Sequence, residues 1–537
     1  MAIGALVLLT GPTGLAQSET YWVSVDGQAS WQNAQSPTPL NGAAATNLST
    51  ANANAQAGDL VYLRAGTYDT GEYIRPANSG VSDDNRIVFS SYDNEVVTIT
   101  EAAYGIYIYK KSYISVNGID FYSLRRFMRI YAGQYNDVGY CNFDTRSSSS
   151  GDWVGALIAD DYSDPTPSSE NSTYNRVHHC RFFRWAYGGY DEHRGALLDI
   201  GSSQHPGPED ESYYNLIEDN IFAYGGHHTL GVYSKYNVIR NNYFHNETNG
   251  ANWNFEGYRA TITEGPVAGN CLYEGNRFGY AGASGMALRS GENIFRFNAF
   301  YHTGSGGIQV VANRPGVDYP DRNLIYNNTF YRCGYLAQYS GFQGGIYFCD
   351  WHGQAPVDNV ITNNIFYDNK HGTVLYNDQV PPQIVFNNWD DNDLNPGFVD
   401  LSGNDPNDPT LPDLHLQPGS LAIDEGIALT SVTSPDGSST QFQVENSRYF
   451  VDGWGIIEGD EIRLIGGGEK AWISHVDYST DTITVDRMIS WTQGEGVALV
   501  YVGGAPDLGA HEYGADEMVF SDDFESGFLW AWTVTFP

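Results

Sequence analysis

Apolar and polar positions recur along this chain in one short phrase: Asn, a spacer, an aliphatic residue, two spacers, a second polar residue, a spacer, and Phe. It reads Asn237, Ile239, Asn242 and Phe244 within GGHHTLGVYSKYNVIRNNYFH (225–245). Further copies are YNLIEDNIF (214–222), ENIFRFNAF (292–300), RNLIYNNTF (322–330) and DNVITNNIF (358–366), with weaker ones in CLYEGNRF (271–278), YNRVHHCRF (174–182) and YNDVGYCNF (135–143). The second polar position falls on Cys141, Cys180, Asn220, Asn242, Asn276, Asn298, Asn328 and Asn364. By subtraction the spacings are 39, 40, 22, 34, 22, 30 and 36 residues. A floor of 22 with variable additions is the mark of a solenoid with loops of varying length.

The residue types explain the period. Asn tolerates the left-handed backbone of a corner, and stacked amides donate and accept along an axis. The aliphatic and Phe positions would point inward and stack on their counterparts, so each coil buries its face only against its neighbours. Twenty-two residues suit three short strands joined by turns.

This pattern resembles the right-handed parallel β-helix of the pectate-lyase-like superfamily. The resemblance covers roughly residues 20–425, with first coils in GDLVYLRAGTY (58–68) and RIVFSSYDNEVVTI (86–99) and a closing phrase in APDLGAHEY (505–513). It implies an all-β solenoid with an N-terminal cap. It implies less about chemistry, because the fold serves lyases, hydrolases, epimerases, adhesins and structural proteins.

Residues 1–16 read as a signal-like segment without a positive leading end. The β-helix is expected over 17–427, with a short capping helix in the Ala-rich stretch 43–57 and strands from Leu60 to about Asp400. Additions at 144–174, 184–214, 245–270, 302–322 and 331–358 follow the Asn-x-Phe phrase, so they would leave from one edge and wall a groove. Residues 401–427, rich in Pro and Asp, read as wrapping over the last coils. Alternation in DEIRLIGG, AWISHVDYSTDTITVDR and GVALVYVGG predicts a small antiparallel β insert over 428–504, folding as its own unit away from the groove. Residues 505–515 return to the body, and 516–537 resemble the start of an incomplete C-terminal module.

Charge narrows the partners. Sixty-four acidic against 27 basic residues leave −37, which excludes the basic footprint that nucleic acid requires. It also disfavours an anionic polymer unless cations gather locally. No stretch reaches the roughly 20 apolar residues of a membrane span. An extracellular or cell-surface protein is expected, with attachment or self-assembly through the C-terminal region. The five cysteines imply no disulfide framework. Cys141 and Cys180 occupy equivalent places on adjacent coils, where stacking orients the sulfurs poorly for a bridge; an unbonded buried pair is expected.

The strands before the Asn phrase align on a Gly-like start: GALLDIG (195), HTLGVYS (228), RATITEG (259) and GMALRSG (285). Alternation then turns the second and fourth places inward (Ala196 and Leu198, Thr229 and Gly231, Ala260 and Ile262, Met286 and Leu288). The fifth turns outward: Asp199, Val232, Thr263 and Arg289, with Tyr233 and Glu264 just beyond. At the strand start three coils replace Gly with His193–Arg194, His227–His228 and Tyr258–Arg259. Stacked about 4.8 Å apart, these would form a band about 10 Å long, with Lys235 and Arg289 on the same coils.

Polysaccharide lyases of this fold carry a Lys base and an Arg on neighbouring coils, with calcium held by Asn and Glu. The resemblance places Tyr233 where some of these families carry the lysine and Arg289 on the strand bearing their arginine; their Glu-x-Glu calcium ligands are absent. β-Elimination beside a uronate needs its carboxylate neutralised, a base for the carbon-bound proton and an acid for the leaving oxygen. Arg259, Arg289 or Arg194 would neutralise, His228 or Tyr233 would take the proton, and Tyr258 would protonate the leaving group. His193, Arg194, His227 and Lys235 would bind substrate. No cofactor is required by that arrangement, although calcium is compatible with it. A glycoside hydrolase or epimerase would instead use Asp199 and Glu264, roughly 10 Å apart over two coils. A third reading is non-enzymatic: a surface adhesin, spike or sheath subunit.

Overall fold

A computed structural model describes residues 19–146, 152–161, 171–185, 195–202, 211–246, 259–263, 268–312, 319–335, 343–350, 354–377, 379–466 and 468–515. The signal-like segment 1–16 and the tail 516–537 lie outside them. Among the described residues the chain winds through three parallel sheets of 13, 11 and 10 strands, called here the first, second and third. Each coil contributes one short strand to each, as in Val238–Arg240, Tyr243–His245 and Arg259–Thr263. A capping helix at Leu48–Asn54, with the Asn47 side chain accepting from the Thr50 amide, opens the stack within the stretch expected for it.

The ladder reading holds. Each ladder Asn accepts, at one amide oxygen, both the main-chain N–H and the side-chain NH2 of its counterpart one coil earlier. Asn220 donates in this way to Asn242, Asn242 to Asn276, Asn276 to Asn298 and Asn298 to Asn328, at 2.9–3.1 Å. A second ladder links Asn136, Asn175, Asn215 and Asn237, and resumes from Asn293 through Asn323 and Asn359 to Gln383. Phe121, Phe143, Phe182, Phe222, Phe244, Phe278, Phe300, Phe330 and Phe366 stack inside at 4.6–5.0 Å. Such offset aromatic pairs add about 0.5–1.5 kcal/mol each beyond burial. All five cysteines are buried and unbonded, and Cys141 donates its main-chain N–H to the Cys180 sulfur at 3.5 Å, filling a rung where Asn is missing.

One expectation is corrected. The left-handed corner residue is not the ladder Asn but the one before it: Asp219 (φ 54°), Asn241 (54°), Phe297 (56°), Asn327 (50°) and Asn363 (55°). The ladder amide then faces the axis while its neighbour absorbs the turn. The antiparallel unit, with strands between Thr430 and Leu499, packs against the body. It shares an apolar core with the outer face of the first sheet, through Leu216, Val238, Leu272, Ile294, Leu324 and Val360. Arg296, fully buried, clamps Asp460 through two bonds of 2.8 and 2.6 Å and reaches Glu274 at 3.0 Å, and Tyr326 donates its hydroxyl to the Tyr449 carbonyl.

The outer face of the second sheet is covered in turn by Phe398, Leu414, Leu416, Ala422 and Leu508. Gly509 donates its N–H to the Asn363 carbonyl, so the closing phrase does return to the body. Neither apolar cluster includes a strand residue of the third sheet. Each long addition contains a strand of that sheet, such as Val154–Ala159, Ala196–Ile200 or Ile346–Asp350. The added residues therefore flank these strands on both sides in sequence, rather than leaving from one edge.

Candidate active site

The third sheet fixes the register that decides the site. Ala196 pairs with His228 and His228 with Arg259, while Asp199 pairs with Gly231 and Gly231 with Ile262. The strand at His228 thus starts one residue earlier than its Gly-based alignment implies. Gly231 shares the line of Asp199 rather than pointing inward, and Ile262 stands opposite Gly231 in register. Val232 enters the core beside Ile200, and Thr263 falls in register with Val232 and Leu288. The inward call for Gly231 and the outward call for Val232 fail for this one reason, while the side chains of Ala260, Ile262 and Thr263 lie outside the described atoms.

Over Gly231 three side chains converge. His228 Nε2 lies 3.0 Å from Asp199 Oδ1, across two adjacent coils, and 3.5 Å from the Tyr233 hydroxyl. His228 Nδ1 faces Nδ1 of His227 at 2.9 Å. His228, Asp199 and Tyr233 are each 6% exposed, and these bonds run side chain to side chain rather than to loop backbone. A Cβ on Gly231 would sit 2.4 Å from Asp199 Oδ1, 2.7 Å from His228 Nε2 and 2.7 Å from the Tyr233 ring. Glycine is what lets the three meet. His228 has the parity of Leu230 and Val232, yet its imidazole lies over Gly231, so alternation breaks at the strand start. Sequence reasoning missed Gly231; the available signal was a glycine in mid-strand, which often marks close approach.

The shared nitrogen matters chemically. Nε2 carries one hydrogen at most, while both a carboxylate and a phenol oxygen lie beside it. As an N–H it donates to the Asp199 carboxylate at 3.0 Å, and the Tyr233 hydroxyl, both donor and acceptor, lies 3.5 Å from the same nitrogen.

Arg289 is buried, one residue past Leu288, and Leu288 is two strands from Val232 through Thr263. That places the start of its side chain about 10 Å from that of Tyr233. Its charge also acts on Cys349, whose thiol is pushed up to about 12 mainly by burial, with Asp350 adding to the rise and Arg289 opposing it. Lys235 lies past the next corner, where its main chain bridges to Gly269 at the edge of the first sheet. Arg259 stands opposite His228 in register, with its side chain outside the described atoms. His193, Arg194, Tyr258 and Glu264 lie outside the described residues.

The donors present do not make a calcium cage at this point. Asp199 is engaged by His228, and among the described residues no three His, Cys, Asp or Glu side chains gather to hold a metal ion.

Comparison with known proteins agrees with the architecture. The sequence family described as the right handed beta helix region matches residues 266–407. The chain is a right-handed parallel β-helix protein. Among solved structures it is similar to the pectate lyase Pel9A, at 16% identity over 93% of this chain and 97% of that one, with a TM-score of 0.45. It is also similar to the family 6 polysaccharide lyase Pedsa3628 from Pseudopedobacter saltans (17%, 63% and 90%, TM-score 0.41). A third is an alginate lyase from Paenibacillus sp. str. FPU-7 (14%, 68% and 99%, TM-score 0.37). No curated protein matches the sequence.

Proposed function

We propose that this chain is an exported enzyme that cleaves a uronate-containing polysaccharide by β-elimination. The observation that carries the reading is the convergence of Asp199, His228 and Tyr233 over Gly231 on the sheet that, among the described residues, shares no apolar core with the C-terminal segments. Tyr233 acts as base, its own proton held by His228 and the resulting charge balanced by Asp199. The proton beside the uronate carboxylate moves to the phenolate, a carbon–carbon double bond forms, and the bond to the glycosidic oxygen breaks. The leaving oxygen takes a proton from Tyr233 or Tyr258. Arg289, with Arg259, neutralises the carboxylate so that the neighbouring carbon becomes acidic. His193, Arg194, His227 and Lys235 remain substrate-binding candidates. The hydrolase alternative loses weight, because Asp199 is engaged by an imidazole rather than facing a carboxylate partner.

The experiment is a screen of polygalacturonate, alginate and other polyuronates for new ultraviolet absorbance from unsaturated ends. Tyr233→Phe should lower kcat by about 10²–10⁴-fold, the usual worth of a general base, and His228→Ala should do the same. Full turnover in Tyr233→Phe, or absence of unsaturated product from every polyuronate, overturns the proposal.

A further inference from the structure

The third sheet carries a second concentration of chemistry at its N-terminal end. Tyr107 pairs with Arg129, Arg129 with Leu157, and Leu157 with Asp199. Tyr107 therefore stands on the register line of the site, three strands or about 14 Å away. Around it Tyr73 and Tyr104 lie 5.2 Å apart, Tyr104 and Tyr107 4.8 Å, and Tyr107 lies 6.3 Å from both Tyr109 and Tyr131. Tyr109 is 38% exposed and the other four are half-buried.

The geometry of these rings separates them from the chain's other tyrosine run. Tyr113, Tyr135, Tyr174 and Tyr214 stack at 4.9–5.3 Å with interplanar angles of 3–16°, each covering its neighbour's face. The Tyr107 group is mostly tilted, by 49–71° in three of its four pairs, so these rings do not close one another off. Cations accompany them: Arg126 lies 5.1 Å over Tyr104, Arg75 5.3 Å over Tyr73 and Lys110 5.6 Å over Tyr109. Residues 104–131 hold five basic side chains (Lys110, Lys111, Arg125, Arg126, Arg129) against one acidic, Asp120, in a chain of the opposite overall sign. Asp152 pairs with Arg126 and Asp161 with Lys110. Arg129, 5% exposed, gives its hydrogen bonds to the carbonyls of Met128, Val154 and Gly155, and burial lowers its pKa.

We propose that this cluster is a remote subsite holding uronate residues of the polymer that reacts at Tyr233. Tyrosine faces stack on the sugar rings, and Arg75 and Arg126 beside them meet the carboxylates. The inference rests on the site acting on an anionic polysaccharide. The separation is one that a polymer, and not a single sugar ring, bridges.

The test uses the full chain and affinity electrophoresis in gels containing polygalacturonate, alginate or neutral dextran. Tyr107→Ala/Tyr109→Ala and Arg126→Gln should each weaken retardation by polyuronate, with apparent Kd raised about tenfold, and leave cleavage of a short oligouronate unchanged. Tyr107→Phe, which keeps the ring, should bind as the native chain does and guards against misfolding as the cause. Equal retardation of the folded double variant and the native chain overturns the subsite, even if cleavage is intact. Equal retardation by dextran overturns its assignment to anionic sugar. Retardation by polyuronate that the double variant loses, in a native chain that cleaves nothing, upholds the subsite while the elimination reading falls.

Discussion

Replacing Asn298 by Ala tests the physical account of the solenoid most directly. Asn298 is fully buried. Its amide oxygen accepts from the main-chain N–H and the side-chain NH2 of Asn276, both at 3.0 Å. Its own NH2 donates to the Tyr273 carbonyl and to Asn328, both at 2.9 Å. Truncation removes four bonds, but the partners lose unequally. The Asn276 side chain still reaches the Ile239 carbonyl, and Asn328 still accepts from the Asn298 main chain. The Asn276 main-chain N–H is left with nothing. An orphaned buried donor costs about 1–3 kcal/mol and each lost neutral bond about 1 kcal/mol. Some of this is returned because the Asn amide no longer needs burying, leaving about 3 kcal/mol.

Solenoids open locally, so a single global melt would blur this cost. Native-state hydrogen exchange at the Asn276 amide should instead speed up by about a hundredfold. Asn388→Ala supplies the internal control. It removes the same pair of bonds from Asn364 at the half-exposed end of the ladder, where water can replace them, and should cost about 1 kcal/mol or less. Equal costs at the two positions, or unchanged exchange at Asn276, would refute the argument that buried amide satisfaction holds the coils in register.

Three further outcomes follow from named contacts. Gly231→Ala forces a methyl into the space shared by Asp199, His228 and Tyr233 and should lower kcat at least tenfold, about 1.4 kcal/mol in barrier, with little change in Tm; full activity would show that the three need not meet. Asp460→Ala leaves Arg296 buried without its main partner and should cost about 3–5 kcal/mol, read as earlier proteolytic cutting between residues 428 and 500. Glu512, half-buried, has its carboxyl pushed up to about 8 by burial and then by the charge of Asp507, so the folded state binds its proton more tightly than the unfolded state. Its contribution is complete below the ordinary carboxylate range and is lost as pH rises to about 8. Exchange at the Gly509 amide should therefore quicken between pH 5 and 9, and flat protection would contradict this.

Much of the architecture was legible in the chain alone because a solenoid repeats its chemistry. The Asn and Phe positions were visible from spacing, and they now form the ladders and the internal stack. Cys141 and Cys180 were placed on equivalent rungs for the same reason, and the capping helix fell within its Ala-rich stretch. The site was legible only in part. His228, Tyr233, His227 and Asp199 were all singled out, but as members of a band and of two rival mechanisms. Their union over Gly231 was not foreseen.

What local pattern determines is the period and the inward residues, since these depend on side-chain type every 22 or more positions. What it leaves open is any quantity set between coils. Strand register is one: a one-residue shift at His228 changes neither composition nor periodicity, yet it decides that Gly231 rather than Val232 lies beside Asp199. The corners are another. Phe297 holds left-handed backbone that its intrinsic preference disfavours, because the ladders above and below dictate the turn. The antiparallel unit reads as separate in sequence, and the apolar face and the arginine it packs against come from coils far away in the chain. Each of these was decided by hydrogen bonds and burial between segments that sequence distance keeps apart.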